Sequence, residues 1–118
     1  MPQMVPSEFS GAVPVDGYGP GFFRVAGIVH NGPLIVTQSG ARDWGGLADG
    51  AALLALAGMI DVLFLGMGAE IAPPPRALIA ELEQAGIMVE PMSTPSAARS
   101  YNVTLSEGRR VACALIPL

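Results

Sequence analysis

The sequence contains no lysine, one histidine and one cysteine. Without lysine, the chain has neither a Schiff-base nucleophile nor the phosphate-binding lysine of a Walker motif. Cys113 cannot form a disulfide within the chain, and Cys113 with His30 cannot complete a structural zinc site. We therefore expect no metal and no cofactor, and a reducing, cytoplasmic compartment is the simplest interpretation.

Positive charge is also sparse, since the chain has six arginines and ten acidic residues, and its net charge is −4. The arginines are scattered along the chain, whereas nucleic-acid binding requires a clustered basic surface that displaces phosphate counterions. Nucleic acid is therefore not an expected partner.

The apolar stretch from Ala51 to Ala69 is long enough to cross a bilayer, but Gly58 and Asp61 interrupt it. A helix followed by a buried strand has the same hydropathy, so we expect no transmembrane segment. The first ten residues contain no basic residue and no apolar run. They predict an extended lead-in over residues 1–10, and neither a secretory signal nor a transit peptide.

The remaining pattern predicts a single α/β domain over residues 1–118. Its N-terminal part is expected to contain a short strand around 11–15 and a β-hairpin. The hairpin joins strands 22–28 and 34–37 through the turn His30-Asn31-Gly32. A glycine-rich loop over 38–46 and a helix over 50–57 follow, with Asp49 as the N-cap.

A β-α-β-α-β unit completes the chain, and it predicts a three-layer domain with a central, mostly parallel, mixed sheet. If each strand pairs with the next, right-handed crossovers make its three strands parallel neighbours. The last strand is apolar on both faces, which is typical of a central strand covered on both sides. The elements of the unit are strand 62–66, a helix from Pro75 to Gly86, strand 87–89, a helix from Thr94 to Gly108, and strand 111–116. In the second helix Thr94 is the expected N-cap, and Ala98, Tyr101 and Leu105 share one face.

The candidate site lies at the carboxyl end of this sheet, where α/β proteins form ligand crevices. Its expected lining is Gly66-Met67-Gly68 and Met92-Ser93-Thr94, with Arg99 nearby. Helix N-termini attract anions, so one interpretation is a small anionic or nucleotide-like ligand. The other is a tight turn with close helix–sheet packing. The prolines 73–75 lack N–H groups and Glu70 is negative, which weakens anion binding.

Three further features bear on this site. Asn102 is expected either to hydrogen-bond a neighbouring loop or to face the crevice. Met67 and Met92, with neighbouring Ile71 and Pro73, suggest either an exposed apolar patch for a protein partner or ordinary core packing. Neither His30 nor Cys113 lies in a nucleophile signature, so we assign no catalytic residue and expect a protein that is not an enzyme.

Two blocks of sequence resemble one known family. The first is Gly17-Tyr18-Gly19 before Phe22-Phe23-Arg24-Val25, and the second is the more specific block from Met92 to Ile116. They resemble family 498 of the domains of unknown function, which includes the mitochondrial assembly factor 3 of respiratory complex I. In the family, the middle of the Gly-x-Gly is usually threonine and basic residues follow, whereas this chain has Met67 and Glu70.

The resemblance implies a compact three-layer α/β domain that acts through protein contacts while a membrane enzyme is assembled. We therefore expect a protein partner, such as a subunit or assembly factor of a respiratory membrane complex. The protein would be cytoplasmic, or peripheral to the inner membrane through that partner. A homo-oligomer is left open.

Overall fold

The computed structural model describes residues 11–70 and 72–118, so the lead-in expected over 1–10 lies outside the described residues. In chain order the elements are β1 (Val15–Gly19), β2 (Phe22–Val25), β3 (Ile28–Asn31), β4 (Leu34–Thr37), β5 (Gly40–Asp43), α1 (Gly50–Leu54), β6 (Val62–Gly66), α2 (Arg76–Gln84), β7 (Met88–Met92), α3 (Thr94–Ser106) and β8 (Val111–Leu115).

A five-stranded mixed sheet forms the centre of the domain, in the order β5-β4-β8-β6-β7. The strands β6, β7 and β8 are parallel, and β4 is antiparallel to β8. The expected mixed sheet with a central last strand is therefore confirmed. However, β7 and β8 are not neighbours, because β6 lies between them. The strand β7 lies at the edge of the sheet, and its residues Glu90 and Pro91 suit that position. Proline has no backbone N–H, and an edge strand can lack one on its open side without losing a hydrogen bond to a neighbouring strand.

The N-terminal part differs from the sequence prediction. The turn lies at Ala26–Gly27, and both residues have positive φ. It divides the expected strand 22–28 between β2 and β3, which pair with each other as a hairpin. Positive φ at both central residues marks a two-residue type I′ turn, whose twist matches the strands it joins. The strand expected around 11–15 begins only at Val15, as β1, and pairs with β2.

The strand β4 belongs to the other sheet. It pairs with β5, in the segment predicted to be a loop, and with β8. The helix α1 ends at Leu54, earlier than predicted. Asp49 occupies the N-cap position, as predicted, but its carboxylate makes no capping bond and instead accepts from the Gly45 N–H at 3.2 Å.

Three layers enclose two buried clusters, one on each face of the five-stranded sheet. The helices α1 and α2 cover one face with Leu53, Leu78 and Leu82. The other face packs against α3 and the three-stranded sheet β1-β2-β3, through the expected stripe Ala98, Tyr101 and Leu105. The predicted three-layer architecture is confirmed. In the part of the chain that the structure describes, no helix has the length and hydrophobicity of a membrane span.

Candidate functional site

The Gly66-Met67-Gly68 turn lies where the sequence predicts it, at the carboxyl end of β6. Its backbone is bonded to two other segments. The Met67 N–H donates to the Met92 carbonyl at 2.8 Å, and the Gly66 carbonyl accepts from the Ile116 N–H at 2.9 Å. The Gly68 carbonyl accepts from the Thr94 N–H at 2.7 Å. These bonds tie the ends of β6, β7 and β8 together.

Thr94 closes the same turn with its side chain and is completely buried. Its Oγ1 accepts from the Gly68 N–H at 2.8 Å and donates to the Ile116 carbonyl at 2.6 Å. The prediction that Thr94 caps α3 is therefore wrong. Ser93 is the N-cap, and its Oγ accepts from the Ser96 N–H at 3.4 Å. The Thr94 hydroxyl therefore joins the turn after β6 to the residue that follows β8.

Gly66 allows this closure because α3 approaches its backbone closely. A Cβ at Gly66 would lie 2.8 Å from Thr94 Oγ1, 2.9 Å from Thr94 Cα and 3.0 Å from Leu115 Cδ2. Real Cβ atoms essentially never approach other atoms this closely. The Gly-x-Gly therefore serves a tight turn and close packing, which is one of the two interpretations of the sequence.

The two methionines of the candidate site are not brought together. Met67 is half-buried and packs against the cluster beneath α1 and α2. Met92 packs against the opposite cluster, beneath α3, and its sulfur accepts from the Ser100 hydroxyl at 3.6 Å. They do not form one apolar patch. Met92 pairs with Gly66 across the sheet and Met67 is the residue after Gly66, so the two methionine side chains point to opposite faces. Ile71 lies outside the described residues.

Arg99 and Asn102 lie apart from the Gly-x-Gly turn, in a groove of about 260 Å³ between α3 and β1. The Asn102 amide is used structurally. Its Oδ1 accepts from the Val15 N–H, and its Nδ2 donates to the Val15 carbonyl, both at 2.8 Å. Arg99 is exposed at the groove. Asn102 therefore makes structural hydrogen bonds, but to the strand β1 and not to a neighbouring loop.

Tyr101 has a role that the sequence pattern did not reveal. It was expected only as part of the apolar face of α3, yet its hydroxyl donates to the Val13 carbonyl at 2.7 Å. Burial raises the pKa of this hydroxyl, which therefore stays protonated and acts as a donor. A buried tyrosine normally has a partner for its hydroxyl, which was the one available signal.

The chemically reactive side chains do not form a cluster. His30 lies on β3, opposite Phe23, and Cys113 is fully buried in β8. Within residues 11–70 and 72–118, no three His, Cys, Asp or Glu side chains come together as metal ligands.

Burial raises the pKa of the Cys113 thiol. We expect Cys113 in the folded protein not to react with Ellman's reagent, because the thiolate is the reactive form and the reagent cannot reach it. The denatured protein serves as the control and should release one equivalent of chromophore per chain, from the single cysteine. Rapid reaction of the native protein would contradict the buried position of β8.

Comparison with known proteins identifies the family. The family described as "Protein of unknown function (DUF498/DUF598)" matches residues 15–116. The chain belongs to this family. An uncharacterized protein of Rhodobacter capsulatus is 60% identical over 117 residues, which cover 98% of this chain and 94% of the relative.

The zebrafish (Danio rerio) NADH dehydrogenase [ubiquinone] 1 alpha subcomplex assembly factor 3 is 32% identical, over 93% of this chain and 67% of its own length. A crystal structure described as an outer membrane protein from Bartonella henselae matches with a TM-score of 0.81. It is 36% identical, and the match covers 91% of this chain and 96% of that one. The resemblance noted from the two sequence blocks is confirmed.

Proposed function

We propose that this protein is a non-enzymatic assembly factor that acts through contact with a protein subunit of a respiratory, complex I-like membrane complex. The observation that carries the proposal is the similarity to assembly factor 3 along 93% of this chain. The family match over residues 15–116 includes every element from β1 to β8. Such a protein would work in the cytoplasm and reach the membrane only through its partner.

The carboxyl end of the sheet supports protein contact over ligand binding. An anion site at this end requires free backbone N–H groups. Here the N–H groups of Met67 and Gly68 donate to Met92 and Thr94 within the chain. Pro75, the residue directly before α2, has no backbone N–H to donate. These observations favour a partner bound at the surface over an anion held in the crevice.

We place the partner contact on the carboxyl-end loop, defined as residues 67–70 and 72–75. Ala69, Ala72 and Pro73 are exposed in this loop. Its prolines fix φ, so the loop loses little conformational entropy when it binds. Two candidate-site residues belong to the loop itself, the half-buried Met67 and the buried Gly68. The others lie outside it: Gly66 and Thr94 are buried, Met92 and Ser93 are half-buried, and Arg99 is exposed on α3.

The test is complementation in Rhodobacter capsulatus lacking the relative that is 60% identical. We expect its membranes to lose NADH:ubiquinone oxidoreductase activity and assembled complex I, and to regain both when this protein is expressed. Pro73→Asp should fail to restore them, because it places a charge in the proposed contact without touching the core. The matched control is Ala57→Asp, an exposed position before the opposite, amino end of β6.

The possible outcomes test the assembly role and the carboxyl-end loop as contact surface separately. Unchanged complex I in the deletion strain would contradict the assembly role. Full rescue by Pro73→Asp would contradict the loop as the contact. Equal failure of Pro73→Asp and Ala57→Asp would also contradict it, because the loss would then not depend on the loop.

A further inference from the structure

The two sheets have four outer edge strands among the described residues, and three of these edges are protected. The amide of Asn102 covers the edge of β1 by bonding both backbone groups of Val15. The edge strand β5 carries Arg42 and Asp43, and the edge strand β7 carries Glu90 and Pro91. Charges, proline and covering groups are the usual means by which proteins prevent edge-to-edge pairing.

Within residues 11–70 and 72–118, nothing protects the edge strand β3 in these ways. It reads Ile28-Val29-His30-Asn31, without an acidic residue, an arginine or a proline. Ile28 is 61% exposed and Val29 is 49% exposed. These two side chains point to opposite faces of the sheet, so both faces of this edge are apolar and open.

The hairpin geometry determines which backbone groups of β3 face outward. In a two-residue turn at Ala26–Gly27, the flanking residues Val25 and Ile28 are hydrogen-bonded to each other. Bonded and non-bonded pairs alternate along an antiparallel ladder. The N–H and C=O groups of Val29 and Asn31 therefore point away from β2, toward the open edge.

We propose that β3 pairs antiparallel with β3 of a second copy of this chain, centred on His30, to form a continuous six-stranded sheet. In this register Val29 of each copy exchanges N–H···O bonds with Asn31 of the other, which gives four hydrogen bonds about a two-fold axis. Ile28 then lies opposite Gly32 of the other copy. A Cβ at Gly32 would have no atom within 4 Å, so the space for the Ile28 side chain is open.

The neighbouring registers are poorer. A pairing centred on Val29 would need the Gly27 N–H, which already donates to the Asp16 carboxylate at 3.2 Å. A pairing centred on Asn31 would bring Pro33 opposite Val29, and proline has no N–H to donate. Only the register centred on His30 pairs the outward N–H and C=O groups of Val29 and Asn31 entirely with groups of the other copy's β3. This inference rests on β3 alone and does not depend on the proposed assembly role.

The test is cysteine cross-linking at the two-fold axis. The two copies of residue 30 would form a non-hydrogen-bonded pair with Cα atoms about 4.5 Å apart, which a disulfide can span. In His30→Cys, oxidation with copper phenanthroline should give a disulfide dimer, since two thiols pass two electrons and two protons to oxygen. The control is Arg24→Cys, exposed on the neighbouring central strand β2. It should remain monomeric, and Cys113 is buried in both variants.

Sedimentation velocity on the uncross-linked protein completes the test. The wild type should convert to a dimer as its concentration rises. Val29→Pro should stay monomeric with an unchanged thermal unfolding curve, because the N–H it removes faces outward. Cross-linking of His30→Cys no faster than Arg24→Cys would overturn the proposal. If Val29→Pro also failed to complement the deletion strain in that case, β3 would bind a different chain and not a second copy.

Discussion

Replacing Thr94 by valine is expected to lower the free energy of unfolding by roughly 2–4 kcal/mol, because two backbone groups lose their only side-chain partner. Valine keeps the shape of threonine and removes only the hydroxyl. The Gly68 N–H would lose its acceptor and the Ile116 carbonyl would lose a donor, at a position that is 0% exposed. Urea unfolding followed by circular dichroism measures the loss.

Thr104→Val is the matched control on the same helix. The Thr104 hydroxyl donates to the Ser100 carbonyl at 2.8 Å, one turn back within α3. Its removal should change the free energy of unfolding by no more than about 0.5 kcal/mol, as at ordinary surface sites. If Thr94→Val were as mild as Thr104→Val, the Thr94 hydroxyl would not be closing the carboxyl end of the sheet.

Gly66→Ala is expected to destabilise the protein by about 1–3 kcal/mol, as overpacking of a close-packed site generally does. The added methyl group would lie 2.9 Å from Thr94 Cα, a backbone atom that moves only with α3 itself. The expected result is a lower midpoint of thermal unfolding.

The control for Gly66→Ala is Gly17→Ala. A Cβ at Gly17 would have no atom within 4 Å, and its φ is not in the left-handed region. This variant should unfold within a few degrees of the wild type, because it adds no contact. Equal midpoints for the two variants would show that α3 does not pack against β6 as closely as described.

The half of the chain from Val62 onward could be predicted well from sequence. Its strands and helices alternate with clear stops, and β6 was predicted with its observed bounds, Val62–Gly66. The N-terminal half could not. Asn31-Gly32 is a stronger turn signal than Ala26-Gly27, and alanine seldom adopts the φ of +52° that Ala26 has. Local preference therefore placed the turn wrongly, and tertiary pairing decided it.

The turn at the end of β6 shows the same limit of local sequence. The Gly-x-Gly turn is where the pattern predicts it, yet the group that fills it comes from a distant part of the chain. Thr94 lies 26 residues from Gly68 and 22 residues from Ile116. Local sequence also favours Thr94, directly before Pro95, as the cap of α3. In the structure Ser93 is the N-cap, and the Thr94 hydroxyl instead joins the residues that follow β6 and β8.

Amide hydrogen exchange at the carboxyl end of the sheet tests this closure most directly. The N–H groups of Met67, Gly68 and Ile116 are all hydrogen-bonded within the chain. In NMR spectra they should exchange slowly, and their resonances should stay unchanged when inorganic phosphate or ATP is added. Rapid exchange of these amides, or saturable shifts on adding either anion, would contradict a closed carboxyl end and favour a ligand site there.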